Sequence, residues 1–143
     1  MRPPFKFSAR TRVGFSDTDA QGIVYYGRYL PYFDLARVEY LRALDLLHPE
    51  VLAGEEFVMR ATSIEYLAPA VFDDEIDVYV RLARLGHTSA TFECAAYRVL
   101  DDVLLVTATQ TLVLVDLDER RPVPIPEPYR ERVRAFEGEE LAA

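Results

Sequence analysis

Cysteine, histidine and tryptophan are scarce in this chain of 143 residues, which has one cysteine, two histidines and no tryptophan. A lone cysteine, Cys94, cannot form an internal disulfide, and this fits a reducing compartment. His48, His87 and Cys94 do not lie at the spacing of metal ligands, so we expect no metal site.

Long apolar runs and an excess of basic residues are also absent. No run approaches the roughly 20 residues that cross a bilayer, and the N-terminal MRPPFKFSAR lacks the apolar core of a signal peptide. We therefore expect a cytoplasmic protein with no membrane span. The net charge of −8 lacks the basic footprint of a nucleic-acid-binding protein. The sequence also has no G-x-S-x-G motif, phosphate-binding loop or dinucleotide fingerprint.

Alternation of apolar and polar residues predicts five β-strands. The first covers most of residues 5–15. Four more follow in the second half of the chain, at 57–66, 75–84, 88–100 and 103–115. The short turns at 86–87 and 101–102 indicate antiparallel hairpins.

One long helix is predicted between the first strand and the others. Pro31 suits a first helical position, and helical spacing continues to Leu47. Leu35 and Val38 interrupt the polar side, so we expect the helix to be covered on more than one side. Its broad apolar face consists of Phe33, Ala36, Tyr40, Leu41, Ala43, Leu44 and Leu47.

These elements predict an α+β fold in which one long central helix is wrapped by a curved antiparallel sheet of about five strands. We expect a single domain over residues 1–143, with a Pro-rich and polar tail at 118–143. Within that tail, an irregular segment to residue 128 leads to a short, polar, frayed helix over 127–140. The sheet ends in edge strands that need protection, so a homodimer with paired edges is expected.

The chemistry centres on the segment GFSDTDAQGIVYYGRY, in which Asp17 and Asp19 precede an apolar stretch. Either aspartate could make an Asx turn or cap a helix. Alternatively, one of them is a catalytic carboxylate, because N–H groups at the start of a helix could polarise a carbonyl beside it. Arg37 is the one charge on the apolar face of the helix. It either extends to the helix edge or pairs with Asp17.

The segment DTDAQGIVYYGRYLPYFDLARVEYLRAL resembles the motif segment of the 4-hydroxybenzoyl-CoA thioesterase-like branch of the hotdog superfamily. Members of that branch carry D-x-D-x-x-G-[IV]-V-[YW]-[YHF]-x-x-Y ahead of a central helix. The similarity continues through IEYLAPAVFDDEIDVYVRLARLGHTSATFE and spans about residues 8–115. The resemblance implies the hotdog fold and a homo-oligomer, either a dimer or a dimer of dimers (homotetramer). It also implies hydrolysis of an acyl-CoA thioester without a metal or cofactor.

The resemblance further implies two catalytic positions. Asp19 would be the carboxylate that acts as nucleophile or as general base toward water, and the backbone N–H of Tyr26 would polarise the thioester carbonyl. Many bacterial acyl-CoA thioesterases of this branch have histidine at the position of Tyr26, but the change leaves a backbone donor intact. Asp17 would then support the loop, through Arg37.

Six further positions are implied to bind substrate. Those at the motif are Gly22, Val24, Tyr25 and Tyr29, and those on the surface, facing the CoA phosphates, are Arg84 and His87. The alternative is a non-catalytic acyl-CoA-binding or interaction module of the same fold. Retention of Asp19 argues against that alternative, because a binding module has no need of a carboxylate beside the carbonyl.

Overall fold

The structure is a computed structural model that describes residues 2–142. Its helices are α1 (Tyr29–Ala43) and α2 (Glu127–Glu137). Its strands are β1 (Ser8–Arg12), β2 (Glu56–Tyr66), β3 (Glu75–Leu85), β4 (Ser89–Arg98), β5 (Leu104–Asp116) and β6 (Arg121–Pro122). Short 3-10 turns lie at Phe15–Asp17, Tyr26–Arg28, Pro49–Leu52 and Gly138–Glu140. Within the described residues, neither helix is long and apolar enough to cross a membrane.

All six strands belong to one antiparallel sheet, in the order β1-β3-β4-β5-β2, with β6 paired to β5. The predicted α+β architecture with five main strands is confirmed, as are the turns that join β3 to β4 and β4 to β5. The strand β6 lies in the segment that the sequence predicted to be irregular. The helix α1 packs on the sheet beside β1 and β3. The strand order places β1 at one edge of the sheet and the eleven-residue β2 at the other.

The helix α1 begins two residues before Pro31 and ends four residues before Leu47, so both predicted ends are wrong. Pro31 occupies the third helical position, where its missing N–H would have no partner within the helix. The helix stops because Asp45 adopts a left-handed conformation with φ of 59°. The N–H of Asp45 donates to the Arg42 carbonyl at 3.1 Å and the N–H of Leu46 to the Leu41 carbonyl at 2.8 Å. This is the hydrogen-bonding pattern of a Schellman C-cap.

One face of α1 forms the centre of the core. Its buried residues are Tyr29, Tyr32, Phe33, Ala36 and Tyr40. On the opposite side Leu35 and Val38 stay 47% and 38% exposed in the single chain. Cover on that side would therefore have to come from another molecule.

The C-terminal helix α2 is neither polar throughout nor detached, which corrects the sequence prediction for 127–140. Tyr129 and Val133 are buried, and Phe136 packs edge-to-face on Tyr40 at a ring-centroid distance of 5.7 Å. Glu137 is also buried. The hydroxyl of Tyr40 donates to its Oε2 at 2.5 Å, and the N–H of Leu82 donates to the same oxygen at 3.1 Å. The helix therefore closes one end of the core, with its charged residues other than Glu137 toward the outer face.

Glu137→Ala should lower the free energy of unfolding by about 2 to 4 kcal/mol, because two buried donors lose their acceptor. Urea unfolding monitored by circular dichroism measures the change. Glu131→Ala, on the exposed face of the same helix, is the matched control and should stay within about 0.5 kcal/mol of wild type. Equal stability of the two variants would contradict a structural role for the Glu137 carboxylate.

Candidate active site

The loop between β1 and α1 folds back on itself after Asp19. The N–H of Asp19 donates to the Ile23 carbonyl at 2.9 Å, and the N–H of Gly22 donates to the Asp19 carbonyl at 3.0 Å. Gly22 has a φ of 81°, in the left-handed region that glycine reaches without strain. The turn therefore returns the chain past Asp19 before it enters α1.

Asp17 is the buried aspartate of the pair and accepts four hydrogen bonds from side chains and backbone. Its Oδ2 accepts from the Tyr32 hydroxyl at 2.6 Å and from the Gly14 N–H at 2.9 Å. Its Oδ1 accepts from the Arg28 Nε at 3.1 Å and Nη2 at 2.9 Å. The Asp17 carbonyl also accepts from the Tyr25 N–H at 2.9 Å. One residue thus joins the loop to the turn Tyr26–Arg28 and to α1.

These contacts set the protonation state of Asp17. Burial alone would raise the pKa of its carboxyl, but the hydrogen bonds from Tyr32, Gly14 and Arg28 together hold that pKa below its ordinary value. The pKa of the Tyr32 hydroxyl moves in the opposite direction. It is raised by burial and by the adjacent Asp17 carboxylate. Asp17 is therefore ionised at neutral pH, and its oxygens are fully used by structural donors.

The expected pair between Asp17 and Arg37 is wrong. Arg37 donates from Nη1 to the Gln110 Oε1 on β5 at 2.9 Å and from Nη2 to the Asp34 Oδ1 at 2.8 Å. It lies about 140° around α1 from Tyr32. Tyr32 reaches Asp17 in the loop, whereas Arg37 reaches β5. The Arg37 side chain is 14% exposed and joins α1 to β5.

Asp19 borders a cavity of about 360 Å³ between the loop and the end of β2. Its Oδ1 accepts from the Gln21 N–H at 2.8 Å, which is an Asx turn. Its Oδ2 has no hydrogen-bond partner among residues 2–142. The two sequence-based alternatives for this residue are thus compatible, because one oxygen holds the turn while the other has no partner.

Tyr26 lines the same cavity. It is the first residue of the turn Tyr26–Arg28, which runs directly into α1. The N–H of Arg28 donates to the Tyr25 carbonyl at 2.8 Å, whereas the N–H of Tyr26 has no acceptor in the part of the chain that the structure describes. Two residues that line one cavity, Asp19 and Tyr26, thus each carry a group without a partner among residues 2–142: a carboxylate oxygen in Asp19 and a backbone N–H in Tyr26.

Aromatic rings form one side of this cavity. The ring of Tyr26 lies 4.3 Å from that of Tyr25 and 6.4 Å from that of Tyr66, between centroids, and Tyr66 lies 5.9 Å from Tyr29. Tyr29 is buried, and burial raises the pKa of its hydroxyl to about 12. Val24 also lines the cavity; it is 5% exposed, and its N–H donates to the Ala70 carbonyl at 2.9 Å.

Sequence reasoning missed three residues of this region. Arg28 and Tyr32 bind Asp17, and Tyr66 donates from its hydroxyl to the Tyr26 carbonyl at 3.0 Å. Arg28 lies inside the quoted motif, where its positive charge indicated a partner for one of the two aspartates. Tyr66 had no such signal, because 40 residues separate it from its partner.

Arg84 and His87 are not brought to Asp19 within one chain. They lie at the far end of β3 and in the turn that follows it, whereas the cavity lies beside the opposite end of the sheet. Nine residues of strand separate Arg84 from Glu75, which corresponds to about 30 Å. Contact of these side chains with a substrate at Asp19 would require a second subunit.

Groups of potential metal ligands are not found within residues 2–142, where no cluster of three or more His, Cys, Asp or Glu side chains could hold an ion. Cys94 is buried in β4. Burial raises the pKa of its thiol to about 12. The thiol is therefore neutral at physiological pH.

Comparison with known proteins gives the family. The model of the Thioesterase-like superfamily matches residues 13–133. The chain belongs to this superfamily. The acyl-CoA thioesterase YbgC of Haemophilus influenzae is 35% identical over 122 residues, which cover 84% of this chain and 88% of that relative.

Solved structures of thioesterases share the fold. A thioesterase from Thermus thermophilus, in complex with coenzyme A and Zn, has a TM-score of 0.82 at 34% identity and covers 96% of this chain and 98% of that chain. A 1,4-dihydroxy-2-naphthoyl-CoA thioesterase from Synechocystis has a TM-score of 0.81 at 22% identity, covering 89% and 94%. At that identity the likeness shows the fold alone. The hotdog fold implied by the sequence motif is confirmed.

Asp17→Asn should destabilise this thioesterase-superfamily chain by about 2 to 3 kcal/mol at pH 7, because an amide nitrogen would face donors that need an acceptor. The pKa of Asp17 is lowered in the folded state, so its stabilising effect is present above the unfolded pKa of about 3.9 and is lost as pH falls below that value. The difference in the free energy of unfolding between wild type and Asp17→Asn should therefore become smaller below about pH 4.

Urea unfolding at pH 7 and at pH 3 tests this expectation. Asp118→Asn, in an exposed loop, is the control and should match wild type at both values. A difference for Asp17→Asn that is the same at both pH values would show that folding does not lower the pKa of the Asp17 carboxyl.

Proposed function

We propose that this chain hydrolyses acyl-CoA thioesters to a free acid and CoA, with Asp19 as the reacting carboxylate and the Tyr26 N–H as the donor to the carbonyl oxygen. The reaction class is that of the family and of relatives named acyl-CoA thioesterase or acyl-CoA thioester hydrolase at 32% to 35% identity. The observation that carries the site assignment is the single cavity that Asp19 and Tyr26 share.

The carbonyl oxygen binds to the N–H of Tyr26. That donor stands at the start of the turn that continues into α1, where the aligned peptide dipoles give a partial positive charge. A donor that is unpaired before substrate arrives needs no reorganisation when charge develops on the oxygen. The same N–H therefore stabilises the tetrahedral intermediate more strongly than the substrate.

Asp19 supplies the carboxylate. Its Oδ1 is held by the Gln21 N–H, so the direction of Oδ2 is fixed by the turn. In one route Oδ2 bonds to the carbonyl carbon, the C–S bond breaks, and water hydrolyses the resulting anhydride. In the other route Oδ2 takes a proton from water, the water oxygen bonds to the carbonyl carbon, and the C–S bond breaks. In both routes CoA leaves as thiolate, and a thiol pKa of about 8.5 removes the need for a strong general acid.

Most of the remaining predicted residues bind substrate in this proposal. Tyr29 lines the cavity and contacts the acyl group, whereas Tyr25 does not line it and supports the ring of Tyr26 from behind, at a centroid distance of 4.3 Å. Arg84 and His87 contact the CoA phosphates of a substrate bound in a second subunit, because the Asp19 cavity of their own subunit is too distant. The reducing compartment indicated by the lone cysteine keeps the cytoplasm as the predicted location.

We also propose a homo-oligomer built on β2. This edge strand has eleven residues and is exposed over most of its length, with Val58 at 39% and Met59 at 42%. Its outer backbone groups lie at an open sheet edge, which pairs readily with another strand. Antiparallel pairing of two β2 strands would extend the sheet across both subunits, and dimers could then associate into the predicted tetramer.

Asp19→Asn should lower the rate of thiol release by about 100-fold or more, because an amide is neither a nucleophile nor a base of useful strength. The assay uses short, medium, long and aromatic acyl-CoAs with a thiol reagent. Asp118→Asn is the control for loss of a surface carboxylate and should keep the wild-type rate. Melting temperature and oligomeric mass should be unchanged in both variants.

The outcomes of that assay separate the alternatives. A wild-type rate in Asp19→Asn would leave the residue as an Asx-turn former only. No thiol release by the wild type from any acyl-CoA would favour the non-catalytic binding module.

The double variant Ala61→Lys/Ser63→Lys should dissociate the oligomer. Both positions lie near the middle of β2, where a two-fold axis brings like residues together, so added lysines would face one another. Sedimentation should give a multiple of 16.3 kDa for the wild type and a shift toward 16.3 kDa for the variant. Thr109→Lys, on the adjacent interior strand β5, is the control and should keep the dimer. A monomeric wild type would contradict the proposal.

A further inference from the structure

We propose that Tyr66 is a positioning residue of this site, which fixes the turn that carries the Tyr26 N–H and so determines the rate of the chemical step. The proposal rests on the proposed function above. It assigns to Tyr66 no contact with the reacting atoms. Its role is exerted through the hydrogen bond to the Tyr26 carbonyl.

The backbone around Tyr66 is held in the sheet by hydrogen bonds to β5. Tyr66 is the last residue of β2 and pairs with Val106 of β5. The N–H groups of the next two residues, Leu67 and Ala68, donate to the Leu105 carbonyl at 2.8 Å and 3.1 Å. The strand end therefore cannot shift without breaking contacts with β5.

The turn that receives this hydrogen bond is held at its two ends by other groups. At its start the Tyr25 N–H donates to the Asp17 carbonyl, and at its end the Arg28 side chain binds the Asp17 carboxylate. Neither contact involves Tyr26 itself. The Tyr66 hydroxyl binds between them, at the Tyr26 carbonyl. Two contacts with Asp17 and one with Tyr66 thus fix the orientation of the peptides around Tyr26.

The orientation of these peptides matters for the reaction. Fixing the Tyr26 carbonyl restricts rotation about its backbone, and the N–H of the same residue is the proposed donor to the oxyanion. Displacement of such a group by about 1 Å is enough to lower a rate by up to about 100-fold. Ground-state affinity depends instead on the whole length of the acyl-CoA, so it should respond little.

Ring packing and hydrogen bonding of Tyr66 can be separated by substitution. The ring packs on Tyr26 and Tyr29, at centroid distances of 6.4 Å and 5.9 Å. Phenylalanine keeps both contacts and removes the hydroxyl. Tyr66 itself is half exposed, at 49%, so the loss of its hydroxyl leaves no buried void.

The experiment compares Tyr66→Phe with wild type on the best substrate from the acyl-CoA panel. We expect kcat to fall about 10-fold or more, with KM within about twofold and the melting temperature unchanged. Affinity for a non-hydrolysable thioether analogue of that substrate should also be unchanged. The pH profile of kcat should keep its shape, because the Tyr66 hydroxyl transfers no proton.

The matched control is Tyr97→Phe. Tyr97 is also half of an edge-to-face tyrosine pair, with Tyr79 at 5.6 Å, and it lies outside the cavity. This variant should keep the wild-type kcat and KM, which shows that loss of one tyrosine hydroxyl is harmless elsewhere on the same sheet.

Two results would overturn the proposal. A wild-type kcat in Tyr66→Phe, with Asp19→Asn inactive, would leave the proposed function standing and remove the role of Tyr66. A raised KM with unchanged kcat would show that the hydroxyl binds substrate instead of positioning the turn. By contrast, a wild-type rate in Asp19→Asn would contradict the proposed mechanism, and a lowered kcat in Tyr66→Phe would still support positioning.

Discussion

The buried carboxylate of Asp17 is the constraint on which the site depends. Removing a charge from water costs several kcal/mol unless hydrogen bonds replace its hydration. Here the replacements come from Gly14, Arg28 and Tyr32, which belong to three separate segments. Since each must be in place for the charge to be tolerated, the loop between β1 and α1 has one arrangement. Asp19 follows Asp17 by two residues and takes its position from that arrangement.

Two aspartates in the same loop therefore differ in chemistry because they differ in environment. All the acceptor positions of Asp17 face structural donors, so it has none left for a substrate. Asp19 is more exposed and uses one oxygen for the turn, through Gln21. The fully bonded aspartate supports the loop, and its half-bonded neighbour keeps one oxygen free, as the proposed mechanism requires. The same division explains why an Asx turn and catalysis are not alternatives at Asp19.

Local patterns in the sequence predicted most of the fold, because strand alternation and turn residues are properties of neighbouring positions. They failed where a contact joins distant segments. Helical spacing correctly gave Arg37 an inward direction, but its partner Gln110 lies 73 residues away on β5. The contact between Tyr66 and Tyr26 depends likewise on where β2 ends relative to α1. In α2, charged residues on the outer face concealed the buried Tyr129, since average polarity does not show which face is covered.

The open edge at β2 matters for Arg84 and His87, which lie far from the Asp19 cavity within one chain. Antiparallel pairing of two β2 strands places the Glu56 end of one beside the Tyr66 end of the other. In the sheet order, His87 lies at the same end as Glu56. A two-fold dimer would therefore carry the second subunit's Arg84 and His87 toward the Asp19 cavity, while the chain's own copies stay about 30 Å away along the strand. Under the proposal that Arg84 and His87 bind the CoA phosphates, such a dimer is the arrangement in which each substrate meets two subunits.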